Sequence, residues 1–173
     1  MGLVLMVFAA PLLQVLLVNR SPWGGPDLVT LAVVWLALAR GPVWGPVWGC
    51  VAGLVAGLAA DMTPPADGTV GRTALVLSVT GLLTGLLAGR WREGRQLGGT
   101  SGPALLQAAA GAALGTLLQA AAAVALGDEP WASALAWLPR TLGWTVALGA
   151  LGGAVLLRRR PQAPEPRMAM RRV

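Results

Sequence analysis

The chain has 173 residues, 55% of them hydrophobic and 12% charged, with a mean hydropathy of +0.67, a balance too apolar for a soluble domain and expected of one integral membrane domain. Its formal charge of +6 comes from thirteen arginines with no lysine, placed in loops and tail and not in a stripe interleaved with aromatics, so the basicity signals topology and not nucleic-acid binding. Histidine is absent, which excludes histidine acid–base chemistry and histidine metal sites, and a single cysteine, Cys50, excludes an internal disulfide or a cysteine metal cluster.

Six apolar stretches follow in chain order, at about 2–18, 28–40, 43–60, 73–89, 104–126 and 141–157. They predict an all-α integral membrane protein with about six transmembrane helices in one bundle. The first stretch carries Pro11 as a kink and Gln14 as its strongly polar side chain. It lacks a basic leader and a small-residue cleavage site, and so reads as a retained span. The second is introduced by Pro26-Asp27, a helix start signal in which the dipole favours the carboxylate. Its apolar run between Asp27 and Arg40 covers only about 18 Å at 1.5 Å per residue. It either crosses with Trp23 and a snorkelling Arg40 at its ends or is re-entrant.

The third stretch is built on a four-residue repeat: Gly41, Gly45, Gly49, Gly53 and Gly57, then Asp61 on the next step. In water each glycine costs a helix interior roughly 1 kcal/mol relative to alanine. In lipid the same spacing lets two backbones approach closely, so Gly45, Gly49, Gly53 and Gly57 are expected to pack on a partner span or an internal neighbour. The fourth stretch repeats the device with Gly81 and Gly85, the fifth has Gly111 and Gly115, and the sixth Gly149 and Gly153. Trp44 and Trp48, one turn apart at the start of the ladder, are expected to anchor or pack. Asp61, just before Met62-Thr63-Pro64-Pro65, is either a polar partner contact, a proton or ion ligand, or a hydrogen-bond acceptor for the turn or the next helix. Pro64 and Pro65 stop that helix, Asp67-Gly68 signals a turn, and Gly71 marks a close-packed entry into the next helix with Thr73 as its N-cap.

Arginine distribution sets direction. With both termini cytoplasmic, the inside segments hold ten of the thirteen arginines, whereas Asp27, Asp61, Asp67, Asp128 and Glu129 fall outside. The segment 158–173 is expected to be a disordered basic tail that holds topology or meets anionic lipid. Catalytic pairs do not emerge: Asp61 and Asp67 flank a proline turn, and no serine or threonine has an evident base. No cofactor or metal is expected. Gln14, Gln107 and Gln119 are expected to bond between helices or to line a polar cavity.

Pro26-Asp27-Leu28, the short span ending Ala37-Leu38-Ala39-Arg40-Gly41, the run from Gly53 through Gly57 to Asp61, and the following Gly68, Gly71, Ala74 and Leu75 together resemble the MreD family of bacterial rod shape-determining membrane proteins. The resemblance implies a non-enzymatic scaffold subunit of the cell-elongation, peptidoglycan-synthesising machinery in the bacterial cytoplasmic membrane. Its implied partners are an MreC-like protein, a RodA-type glycosyltransferase, a class B penicillin-binding protein and, in many bacteria, MreB filaments. It also implies a fold similar to the substrate-binding subunits of ECF-type transporters. The alternative expectation is accordingly such a subunit, with the glutamines and Asp61 around a small-molecule cavity.

Overall fold

The computed structural model describes residues 2–18, 20–21, 25–63, 68–95 and 102–158. Among them it is all-helical. Helix α1 (Gly2–Leu13) runs into a π-helical turn, Gln14–Val18; α2 (Leu28–Met62), α3 (Arg72–Arg95), α4 (Gly102–Ala125) and α5 (Trp131–Arg158) follow. Residues 159–173 of the expected tail, the Pro64-Pro65 stop, Asp67 and Trp23 lie outside the described residues. Two helices are long and apolar enough to cross a membrane, Val43–Met62 and Leu105–Ala125, while Val4–Val18, Leu28–Gly41 and Arg72–Ala88 are shorter apolar helices.

The sixth stretch departs most from its expected bounds. It begins at Trp131, ten residues before the expected 141, and carries Pro139 within the helix. The start comes from Pro130, whose carbonyl accepts the Ser133 and Ala134 N–H groups, and from Glu129, which accepts Ser133 Oγ and Trp137 Nε1 at 2.7 Å each. Helix α4 ends in a Schellman turn: Gly127, at φ 78°, donates to Val124 O, and Asp128 donates to Ala123 O.

Gly41 breaks α2 in two. Its φ of 83° and ψ of −175° lie in a region essentially reserved for glycine, and the extended ψ is what Pro42 demands of the residue before it. The chain reverses there. A side chain on Gly45 would begin 2.5 Å from the Ala37 carbonyl oxygen, and one on Gly49 would begin 2.9 Å from Ala37 Cβ, contacts that a continuous helix could not make across eight and twelve residues. Gly41 is therefore the turn of a helical hairpin, whose ladder face starts at Gly45. This also corrects its place as first rung of a single ladder.

The first arm of that hairpin, residues 28–40, is the centre of the bundle. Leu31, Ala32, Val33, Val34 and Ala37 are fully buried, on all sides of the helix. Val7 and Ala10 of α1, Ala52 and Ala56 of the second arm, and Leu77 of α3 join it in one core cluster. Ala88 of α3 and Ala108 of α4 meet Val34 and Leu38 in another, with Trp35 packed against them. Gly152 of α5 lies against the Trp35 ring. A helix enclosed by protein on every side need not match an external apolar thickness, which is why a short segment suffices here.

Candidate functional site

The glycines of the second arm and of α3 meet face to face. A side chain at Gly45 would approach Gly85, one at Gly49 would overlap the Gly81 carbonyl, one at Gly53 the Leu77 carbonyl, and one at Gly57 the Ala74 backbone. Reciprocally, Gly81 is closed by the Gly49 backbone and Gly85 by Gly45 and Pro46. The pairs run in opposite directions at a constant register, so the two helices are antiparallel. In every case the obstacle is backbone, which cannot rotate aside. Such spacing suits weak Cα–H···O contacts, each worth about 0.5–1 kcal/mol. The groove offered by the ladder is thus filled by the chain's own α3.

Asp61 closes this seam. Its Oδ2 accepts the Gly71 N–H at 2.9 Å and the Ala74 N–H at 3.4 Å, satisfying donors that the first turn of α3 leaves without helical partners. Gly71, expected as a close-packed helix entry, has nothing within 4 Å of where a side chain would begin; its φ of 87° instead supplies the left-handed residue that turns the chain into α3. Thr73, expected as the N-cap, lies inside the helix, which starts at Arg72, and the capping oxygen comes from ten residues upstream. Thr63 ends α2 by bonding Ala60 O through both its N–H and its hydroxyl.

Asp27 plays the corresponding part for the central arm. It is the N-cap, accepting from Thr30 N at 2.9 Å and from the Thr30 hydroxyl, while its own N–H donates to Thr145 Oγ1 of α5 at 3.0 Å. Gln14 Oε1 accepts the Leu28 N–H at 2.8 Å, so α1 also contributes to this cap. Pro26 precedes it in the connecting segment. Around and below this cap the bundle interior is polar at selected points: Thr30, Thr80, Thr84, Thr116 and Thr145 are all buried. Thr80, Thr116 and Thr145 return their hydroxyls to the carbonyl four residues earlier.

A third cluster ties the loops at the Asp61 end. Asp128 accepts from Thr69 N and Thr69 Oγ1 and pairs with Arg72 Nη1 at 2.6 Å. The Thr69 hydrogen bonds, and then the Arg72 charge, hold the Asp128 carboxyl below its ordinary value of 3.8. Gly68 admits this approach: a side chain there would begin 3.2 Å from both Arg72 Nη1 and Asp128 Oδ2.

Gln14, Asp61 and Gln107 lie in different places and do not converge on one cavity. Gln14 and Asp61 bond backbone in separate caps, whereas Gln107 lines a crevice of about 90 Å³ between α3 and α4 with Thr84, Leu87, Leu106, Ala110, Gly111 and Leu114. That crevice is almost wholly apolar, and the Thr84 hydroxyl, buried at its wall, has no hydrogen-bond partner. No group of three or more metal-ligating side chains occurs among the described residues. Against known proteins the chain finds no match: no family model fits it, and neither a curated protein nor a solved structure matches.

Three features of this geometry are not anticipated by the sequence analysis. The ion pair joins residues 56 apart, and the bond from Asp27 to Thr145 joins residues 118 apart, so neither has a local signature. Arg40 stacks on Trp48, its guanidinium carbon 4.3 Å from the ring centroid, across the Gly41 reversal. Only Arg40-Gly41-Pro42, a glycine before a proline at the foot of the ladder, could have announced the turn that brings them together.

Proposed function

We propose that the chain is a polytopic membrane subunit that acts as a non-enzymatic scaffold in the cell-elongation machinery of a bacterium, as its MreD-like motif implies. The membrane part of the reading is carried by one observation: the outward faces are apolar, while threonines are buried within the apolar interior. Val43, Trp44, Val47, Val51, Leu54 and Leu58 of the second arm are exposed, as are Leu75, Leu82, Leu83, Leu86 and Leu87 of α3, while five threonines are buried. Water would penalise such a surface, and lipid would not. Residues 43–60, 73–89, 104–126 and 141–157 contain no charged side chain; in this reading they join α1 and the central arm in a six-helix bundle across the bilayer.

The scaffold part is supported by what the motif residues are used for. Asp27, Asp61, Gly71 and the ladder glycines all make fold-determining contacts within the chain. A rigid body presenting an outer face built around residues 61–63, 68–72 and 126–131 suits a subunit that positions an MreC-like protein, a RodA-type glycosyltransferase and a class B penicillin-binding protein. A transporter subunit would need a ligand pocket of roughly 300 Å³ or more, which the crevice beside Gln107 does not by itself supply. Depletion in a rod-shaped host tests the role. Cells should round up and lose side-wall peptidoglycan labelling; rods of normal width with uptake of one vitamin abolished would contradict it.

A further inference from the structure

Charge is weighted unequally between the two ends of the bundle, arginines outnumbering the one acid, Glu93, at the end of α3. Because Gly45 faces Gly85 and Gly49 faces Gly81, the Gly41 reversal lies level with the last turns of α3, where Arg90, Arg92 and Arg95 occur in sequence. Gly152 beside Trp35 places the C-terminal turn of α5, with Arg158, at that end too. Among the described residues Asp27, Asp61, Asp128 and Glu129 belong to the opposite end, where the described ion pair, Arg72 to Asp128, is also found.

Arg40 stands out within the arginine-rich end. It is exposed, and it is held against the face of Trp48. An aromatic face attracts the cation but offers no in-plane acceptor, and among the described residues no ion pair holds Arg40, so the guanidinium keeps a planar fork of N–H donors. Trp48 and Trp44 are 38% and 61% exposed beside it, amphipathic rings of the kind that settle at the level of lipid headgroups. The Gly41 turn fixes where this pair sits, since Arg40 and Trp48 belong to opposite arms of the hairpin. A fixed arginine fork, two flanking indoles and an excess of positive charge are complementary to a phosphate carrying net negative charge at a membrane surface.

We infer that Arg40 and Trp48, with Trp44 at the rim, form a binding site for the headgroup phosphate of an anionic phospholipid. The inference rests on the membrane reading and not on the scaffold role. The purified full chain is tested by thermal unfolding in uncharged detergent, titrated with phosphatidylglycerol, with phosphatidylcholine or with inorganic phosphate, alongside carbonate extraction of native membranes. Phosphatidylglycerol should raise the melting temperature at lower concentration than phosphatidylcholine. Arg40→Gln should weaken that effect about fivefold, each titration being read as a shift from the variant's own lipid-free melting temperature, and Arg40→Lys, which keeps charge but loses the fork, should fall between. Trp48→Leu should weaken it as well.

Equal response to the two lipids, or an Arg40→Gln titration unchanged from the parent, would overturn the site. Stabilisation by inorganic phosphate at the same concentration as phosphatidylglycerol would also overturn it, by assigning the fork to a soluble anion. Release of the chain by carbonate would overturn the membrane reading beneath it.

Discussion

Asp61 and Asp128 show how single carboxylates hold the loop end of this bundle. Asp61→Ala removes the acceptor of the Gly71 and Ala74 N–H groups and should cost about 1 kcal/mol, the usual worth of a helix cap, whereas Asp61→Asn retains an oxygen and should keep most of it. Thermal unfolding of the two variants in detergent separates capping from a role for charge at Asp61. For Asp128 the sign follows from its depressed folded value. Stability is fully present above the unfolded carboxyl value of 3.8 and is lost as pH falls through the lower folded one. Melting curves from pH 7 to pH 3 should show the loss, and Asp128→Asn should reduce the acid-dependent part. At this scale the sequence was informative about Asp61, because an acid ahead of a proline turn leaves few other uses. It was silent on Thr69, Arg72 and Asp128, whose meeting depends on how α4 and α3 are set side by side.

The paired helices carry a sharper test, since the seam depends on the absence of atoms. Gly53→Leu and Gly81→Leu each push a side chain into opposing backbone, so the cost should reach or exceed the ~3 kcal/mol upper end of ordinary overpacking. Gly143 is the internal control: nothing lies within 4 Å of a side chain there, and Gly143→Ala in α5 should be neutral or stabilise by up to about 1 kcal/mol. Loss of stability in both sets alike would argue against a specific seam. Gly41→Ala should cost about 1–3 kcal/mol through backbone strain, and Gly41→Asn should not rescue it, because ψ of −175° lies far from the left-handed helical region that asparagine tolerates. Periodicity revealed the ladder and its four-residue interval. It could not say whether α3 or another protein fills the groove, since a seam within a chain and one between chains use the same spacing. The early start of α5 was hidden for a related reason: Pro139 reads as a stop, yet Pro130 and Glu129 begin the helix before it.

At the scale of the whole molecule, the central arm explains the architecture. A segment of 28–40 looked too short to cross because length was weighed against a bilayer, while its real neighbours are the other helices of the same chain. Burial on all sides makes it the hub, and Gly41 sends the chain back along it. The arrangement leaves two chemically distinct ends, one with Asp27, Asp61 and Asp128 and one with Arg40 and the last turns of α3, where three arginines and Glu93 occur in sequence. The all-helical architecture and the ladder were legible in the residue pattern; the partners of the outer face were not, because nothing in an apolar repeat names what it meets. The proposed scaffold role makes them the central claim. Affinity purification of the tagged chain from mild detergent, followed by mass spectrometry, tests it most directly: an MreC-like protein with a RodA-type glycosyltransferase in the eluate is the predicted result, and an energising ATPase pair in their place would contradict it.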